Sequence, residues 1–149
     1  MILLDSCVVL DILFDESDAV SLSDFLDSEQ AKGVEVVFLS LSLLETSSVT
    51  AVRYKEGKIP AGDLDDYLAK LATFQALTIA DDLTQDLIAE AARIKSDHAA
   101  SMVDCYLIAN AIHRKAEILT ADREIFSYNG RRAKVRKVTK RYSAIKWHA

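Results

Sequence analysis

Short apolar runs alternate along this chain with longer segments in which apolar residues recur every three or four positions. Runs of the first kind predict buried β-strands, and segments of the second kind predict amphipathic helices. The predicted strands are 2–5, 34–39, 76–80 and 117–120, and a basic strand is predicted near 134–139. The predicted helices lie between them, at about 8–13, 17–31, 42–55, 60–71, 83–95, 102–115 and 123–127. Such alternation is typical of a layered α/β domain with a mostly parallel sheet, here of about five strands.

Length and composition narrow the class of protein. The 149 residues have the length of one domain, so we expect a single domain over residues 1–149. Half of the residues are hydrophobic, which argues against intrinsic disorder. No apolar run approaches the roughly 20 residues of a membrane helix, and residues 1–5 lack the basic start of a signal peptide. Cys7 and Cys105 are too few for a disulfide framework and indicate a reducing cytoplasm.

Four acidic residues stand where predicted strands give way to helices. Asp5 and Asp122 follow strands, while Glu45 and Asp104 lie three residues into predicted helices. In a parallel α/β fold, these strand and helix ends open onto one edge of the sheet, so the acids could meet in one cleft. Clustered carboxylates raise one another's pKa unless a cation compensates, and their oxygens suit Mg²⁺ or Mn²⁺. The placement therefore indicates a divalent-metal site.

Each acid also has an ordinary explanation as part of a helix cap. The segment 42–45 begins with serine and ends with glutamate, as a capping box does, and 101–104 nearly matches the same pattern. Asp5 and Asp122 could be the N-caps of the helices that they precede. Taken one at a time, the acids do not distinguish a cap from a metal ligand.

The charge of the chain is unevenly distributed. Residues 1–130 hold all 23 acidic side chains, whereas residues 131–149 hold eight basic ones and no acid. A basic terminus on an acidic body could contact a phosphate backbone, or it could be a solvated edge strand and tail. If it contacts RNA, Arg131, Arg132 and Arg136 are the candidates, because they follow the Asp122 strand closely and should reach the same cleft.

Four blocks of this sequence resemble the PIN-domain family, in particular the VapC-type toxin ribonucleases. The blocks are MILLDS at 1–6, SLLE at 42–45, DCYLIA at 104–109 and LTADREIF at 119–126. They occur in the family's order and span nearly the whole chain. The resemblance implies a PIN-like three-layer α/β/α fold and a cytoplasmic, metal-dependent endoribonuclease that leaves a 5′-phosphate and a 3′-hydroxyl.

The resemblance also implies which residues carry the activity. The family's acidic quartet corresponds to Asp5, Glu45, Asp104 and Asp122, and its supporting hydroxyls to Ser6 and Thr120. In this interpretation, Asp5, Asp104 and Asp122 hold Mg²⁺ or Mn²⁺, and Glu45 completes the ligand set or orients the attacking water. The implied partners are an RNA substrate, a second copy in a homodimer and, for a VapC toxin, a VapB-type antitoxin whose tail occupies the acidic cleft.

Other residues and other protein classes are weaker candidates. Cys7 and Cys105 depart from the family's usual residues; we expect small core residues that touch no acid, with oxidation or thiophilic metals as the alternative. The acids at 11, 15, 16 and 18 are expected to solvate a helix face, and the histidines at 98, 113 and 148 lack ligand spacing.

This sequence lacks the motifs that define two other classes of protein. A haloacid-dehalogenase phosphotransferase needs an aspartate at position 7, and a Rossmann domain needs glycines after the first strand. The remaining alternative is a PIN-like RNA-binding or scaffold module without activity.

Overall fold

The computed structural model describes residues 1–14, 19–74, 78–79, 83–128, 131–138 and 145–148. Its strands are β1 (Ile2–Leu4), β2 (Val36–Leu39), β3 (Thr78–Ile79), β4 (Glu117–Thr120), β5 (Lys134–Val138) and β6 (Ile145–His148). Its helices are α1 (Ser6–Leu13), α2 (Ala19–Ala31), α3 (Ser40–Lys55), α4 (Leu64–Ala72), α5 (Gln85–Lys95), α6 (Met102–Arg114) and α7 (Arg123–Phe126). None of these helices is long and apolar enough to cross a membrane.

The strands form one sheet in the order β3-β2-β1-β4-β5-β6. The first five are parallel, and β6 pairs antiparallel with β5 at the edge. The predicted α/β fold with a mostly parallel sheet is therefore confirmed. The strand β6 was not predicted, because its sequence alternates apolar and basic residues over only four positions.

Both faces of the sheet are covered, which explains why the central strands are continuously apolar. Leu3 and Ile118 face one side and join a core built with α5, α6 and α7. Leu4 and Phe38 face the other side and pack with α1, α2 and α4. Side chains alternate between these two cores along each strand, as the period of two requires. The three-layer α/β/α arrangement follows from this double burial.

The connections bring several helix starts to the carboxyl edge of the sheet. The helix α1 begins one residue beyond Asp5, and α3 begins directly after β2. At the far end of α6, Lys115 adopts a left-handed conformation (φ 52°), which reverses the chain into β4. Since β4 runs back to the carboxyl edge, the amino end of α6 also lies there.

The helix α3 does not bury the apolar face, which includes Leu44 and Val52, that its sequence suggests. Its buried residues are Ser42, Thr46 and Thr50, whereas Leu44 is 67% exposed. The hydroxyls of Thr46 and Thr50 donate to the carbonyls four residues earlier, at 2.7 and 2.9 Å, so their burial leaves no donor unsatisfied. The small side chains of Ser42, Thr46 and Thr50 therefore form the buried face of α3, which packs against the rest of the domain.

This packing makes a prediction about two leucines. We expect Leu4→Ala, at a fully buried strand position, to lower the free energy of unfolding by about 2–5 kcal/mol. Leu44→Ala should change it by less than about 0.5 kcal/mol, since that side chain is already exposed to solvent. Urea unfolding of both variants measures the difference, and similar losses would contradict the described packing of α3.

Candidate active site

The structure brings the four sequence-predicted acids to one edge of the sheet. Asp5 follows β1, Asp122 lies two residues beyond β4, and Asp104 is the third residue of α6. Burial raises the pKa of Asp104, and the neighbouring carboxylates of Asp122 and Glu45 raise it further. Asp104 in turn raises the pKa of Asp5. The four groups thus interact electrostatically.

Asp5 is the most buried of these acids, with 5% of its surface exposed. Its Oδ1 accepts the backbone N–H of Ser6 at 2.7 Å. Its Oδ2 accepts the hydroxyl of Thr120 at 2.6 Å and the thiol of Cys7 at 3.2 Å. Burial nevertheless dominates and raises the pKa of Asp5 to about 6, with a smaller contribution from the charge of Asp104. The raised pKa therefore puts the titration midpoint of this carboxyl group about one pH unit below neutrality.

Two hydroxyls connect the acids to one another. The Ser6 hydroxyl donates to Glu45 Oε1 and thereby joins the start of α1 to α3. The Thr120 hydroxyl donates to Asp5 and accepts the backbone N–H of Asp122 at 2.9 Å. Ser6 and Thr120 thus lie where the sequence places supporting hydroxyls, and their part in catalysis stays a prediction.

Cys7 contacts the site, contrary to expectation. Its Sγ donates to Asp5 Oδ2 and accepts the backbone N–H of Ala121 at 3.3 Å, so it joins the ends of β1 and β4. The expectation that the thiol touches no acid is wrong, because side chains in the first turn of a helix tilt back toward its amino end. That tilt was the available signal, since Cys7 is the second residue of α1. Cys105 is buried, as expected.

Three of the acids do belong to helix caps. Asp5 is the N-cap of α1, and Asp122 is the N-cap of α7, accepting the backbone N–H groups of Glu124 and Ile125. Asp104 exchanges hydrogen bonds with the N-cap Ser101, whose hydroxyl donates to Asp104 Oδ2 at 2.8 Å and accepts the Asp104 N–H at 3.1 Å. Capping and clustering are therefore not alternatives here, because the same carboxylates do both.

The fourth acid is not in a cap. The helix α3 begins at Ser40, with Leu39 as its N-cap and no side-chain cap bond. Ser42 is consequently inside the helix and Glu45 lies in its second turn, so the capping box expected over 42–45 is wrong. Because β2 runs directly into α3, no turn residue marks the start of the helix in the sequence. Glu45 does not cap its helix, and its carboxylate accepts a hydrogen bond from the Ser6 hydroxyl.

The donor set suits a hard divalent cation in its chemistry. All four groups supply carboxylate oxygens, and in the described parts of the chain none of them forms an ion pair with lysine or arginine. As the side chains stand, however, no three acidic, histidine or cysteine groups among the described residues form a ligand set. Ser101 engages one oxygen of Asp104, and the α7 cap engages one oxygen of Asp122. Their second oxygens are the ones that can turn toward a cation.

Arg132, near the start of the basic segment, lies elsewhere than expected. Arg132 lines a cavity of about 430 Å³ with Met1, Glu117 and Lys134. Met1 precedes β1, while Glu117 and Lys134 begin β4 and β5, so these residues mark the amino edge of the sheet. Its guanidinium pairs with Glu90 of α5. The expectation that Arg132 reaches the acidic cleft is wrong, because β5 is parallel to β4 and must start at the opposite edge.

The other two candidate arginines, Arg131 and Arg136, have different neighbours from Arg132. Arg131 pairs with Asp97 at 3.3 Å and lies over the ring of Tyr128, so its guanidinium is engaged by groups other than the four acids. The side chain of Arg136 lies outside the described part of the chain. Its backbone pairs in register with Leu119, one residue before Thr120 at the acidic edge.

The acidic stretch at 11–18 lies partly within the described residues. Asp11 is buried rather than solvated, with 5% of its surface exposed, so that expectation is wrong for this residue. The remaining acids of the stretch, Asp15, Glu16 and Asp18, lie outside the described residues.

The raised pKa of Asp5 predicts how stability depends on pH in the absence of divalent metal. A carboxyl with a folded pKa near 6 and an ordinary value of 3.8 binds its proton more tightly when folded. The Asp5 proton therefore contributes about 3 kcal/mol to the free energy of unfolding. This contribution is complete below about pH 3.8 and is lost as pH rises through 6. We expect wild type, relative to Asp5→Asn, to lose about 2–2.5 kcal/mol of its free energy of unfolding between pH 4 and 7, which is most of this amount.

Urea unfolding in the presence of a chelator, at steps across that range, measures the difference. Subtracting the Asp5→Asn curve removes the titration of all other carboxyl groups. Parallel curves for the two proteins would mean that Asp5 titrates normally and is not held in a low-dielectric environment.

Comparison with solved structures agrees with this topology. The chain is similar to VapBC2 of Rickettsia felis bound to a DNA fragment from their promoter, with a TM-score of 0.70, 16% identity and coverage of 93% of this chain and 100% of that one. It is also similar to a toxin–antitoxin complex from Klebsiella pneumoniae (TM-score 0.60, 16% identity, 94% and 98% coverage). FitAcB from Neisseria gonorrhoeae gives a TM-score of 0.60, 19% identity, and 85% and 91% coverage. At these identities the likeness shows the fold alone.

Sequence comparison identifies the family. No curated protein is similar enough in sequence to register as a match. The family model described as the PIN domain matches residues 2–131, which include all four acids and the whole sheet except β5 and β6. Because this match spans most of the sequence, the chain belongs to the PIN domain family.

Proposed function

We propose that this protein is a divalent-metal-dependent endoribonuclease of the VapC toxin type. The observation that carries the proposal is the buried carboxyl of Asp5, which lies among three further carboxylates. Burying such a group costs free energy, and helix capping alone does not require it to be buried. A cation at this edge would offset both the burial and the mutual repulsion. The family match and the toxin-like fold support the same conclusion.

In this proposal, Asp5, Asp104 and Asp122 hold Mg²⁺ or Mn²⁺, and Glu45 completes the ligand set or orients a water molecule. The bound ion would supply a water of lowered pKa and positive charge near the scissile phosphate. Thr120 keeps Asp5 oriented through its 2.6 Å hydrogen bond, and Ser6 does the same for Glu45. Such bonds fix the rotamers of ligands and are expected to raise metal affinity.

The partners in this proposal are RNA, a second copy of the chain and a VapB-type antitoxin. Arg136 is the remaining candidate for contact with the RNA backbone at the acidic edge, because its strand position lies beside Leu119. The exposed apolar residues Leu44 and Val52 of α3 would be covered by one of the protein partners. A cytoplasmic location agrees with these partners.

One observation favours the alternative, a PIN-like RNA-binding or scaffold module without activity. It is that the described acidic side chains do not stand in a complete ligand set. The two functions differ in whether RNA is cleaved when metal is supplied, and an assay of cleavage with metal decides between them.

The assay compares two aspartates that lie in the first turns of neighbouring helices. Asp104 and Asp86 both lie in the first turn of their helices, α6 and α5, so replacing either removes a similar interaction with the helix dipole. We expect Asp104→Asn to lower Mn²⁺-dependent cleavage of single-stranded RNA by about 100-fold or more, because a lost ligand costs several kcal/mol in the transition state. Asp86→Asn should cleave like wild type.

Cleavage is measured by following a labelled RNA with Mn²⁺ and with a chelator. Equal activity in all three proteins would mean that the acidic edge is not the active site. Binding of RNA by wild type without any metal-dependent cleavage would favour the scaffold alternative.

A further inference from the structure

A loop of six residues, Ser96–Ser101, joins α5 to α6 and ends at the residue that holds Asp104. The conformation of this loop therefore sets the position of the Ser101 hydroxyl that holds the Asp104 carboxylate. Its last residue, Ser101, exchanges two hydrogen bonds with Asp104. A group that fixes the loop acts on Asp104 through Ser101.

Both ring nitrogens of His98 are engaged around this loop. The backbone N–H of Ala100 donates to His98 Nδ1 at 3.1 Å, so Nδ1 must be the unprotonated nitrogen. The neutral ring then carries its hydrogen on Nε2, which lies 3.1 Å from the Ser127 hydroxyl. That hydroxyl donates its own hydrogen to the carbonyl of Glu124 at 2.7 Å and is left free to accept from His98.

The peptide groups of Ala100 are held from several sides. Its carbonyl accepts from Lys95 Nζ at 2.8 Å and from the Cys105 thiol at 3.7 Å, while its N–H is held by His98. Ala100 itself is buried, with 1% of its surface exposed. Because Ala100 precedes Ser101, this anchoring fixes the direction from which the Ser101 hydroxyl approaches Asp104.

The other end of the His98 contact reaches the second acid-bearing helix. Ser127 is the C-cap of α7, a single turn whose N-cap is Asp122. His98 thus joins the loop before Asp104 to the helix that begins at Asp122. The ring also packs edge-on against Tyr128 at 5.4 Å, and Arg131, paired with Asp97, lies over that tyrosine.

We propose that His98 is a positioning residue, which sets the placement of the Asp104 carboxylate relative to Asp122 by fixing Ala100 and Ser101. The inference rests on the proposed function, since it assigns His98 an effect on metal binding. Among the described residues, the His98 ring contacts Ala100, Ser127 and Tyr128 and forms no hydrogen bond with the four acids. Its effect is carried by the backbone of the loop and by the Ser127 contact.

Affinity for Mn²⁺, measured by isothermal titration calorimetry on the full chain, tests the proposal. His98→Ala and His98→Gln both lack an acceptor at the Nδ1 position, and each should weaken Mn²⁺ binding by about 10-fold, the lower end of the range for groups that orient ligands. His98→Asn places its side-chain carbonyl where Nδ1 stood, so we expect an affinity within about threefold of wild type. His113→Ala, a surface change toward the far end of α6, should not alter the affinity.

A double-mutant cycle distinguishes positioning from general destabilisation. If His98 acts through Ser101, then Ser101→Ala alone should weaken Mn²⁺ binding by about 10-fold, and the double variant with His98→Ala by about the same factor rather than 100-fold. Independent destabilising effects would multiply. Melting temperatures of all variants show that the titrations are made on folded protein.

The outcomes separate this inference from the proposed function. If wild type binds Mn²⁺ and the His98→Ala and His98→Gln variants bind it equally well, His98 has no positioning role. Multiplying effects in the cycle would also overturn the inference, because His98 would then not act through Ser101. Failure of wild type to bind Mn²⁺ would instead overturn the proposed function, and this inference with it.

Discussion

The carboxyl group of Asp5 is buried at the end of a central strand, and the arrangement of the acidic edge depends on that burial. Its two oxygens are held by donors from Ser6, Cys7 and Thr120, which tie the end of β1 to α1 and β4. These hydrogen bonds favour the charged form, but burial outweighs them and raises the pKa to about 6. The group is thus held in place by the fold while its charge is disfavoured. A cation is the partner that would resolve this conflict.

The parallel sheet makes such a cluster from residues far apart in sequence. The four acids come from four separate segments of the chain. Each lies close to the end of a strand or the start of a helix at the carboxyl edge of the sheet. The helix caps add order to the cluster, because Ser101 fixes Asp104 and the turn of α7 fixes Asp122. Helix amino ends also carry partial positive charge, which offsets part of the repulsion among the acids. The capping contacts that stabilise the helices are the same contacts that orient the carboxylates.

The sequence predicted the fold better than it predicted contacts. The central strands β1, β2 and β4 were identifiable because parallel strands covered on both faces are largely apolar. The edge strand β6 lacks that signal. In α3 the apolar pattern pointed to the wrong face, because the buried Thr46 and Thr50 satisfy their hydroxyls within the helix and so behave as small core residues.

The errors at the site have a similar origin. Nearness of Arg132 to Asp122 along the chain did not bring the two together, because the segment between them returns to the opposite edge before β5 begins. The contacts of Cys7 and His98 depend on side-chain direction and loop conformation, which residue spacing does not fix. Ser101 was the exception, since its spacing from Asp104 matches a cap that the structure contains.

Proton release on metal binding tests the central claim most directly. If a cation binds the carboxylate of Asp5, whose pKa is near 6, then Mn²⁺ binding at pH 6 must displace the proton carried by about half of the molecules. Calorimetric titration in buffers of different ionisation enthalpy counts these protons. The account predicts release of about half a proton per bound ion at pH 6 and almost none at pH 8. Mn²⁺ binding at pH 6 without proton release would contradict it.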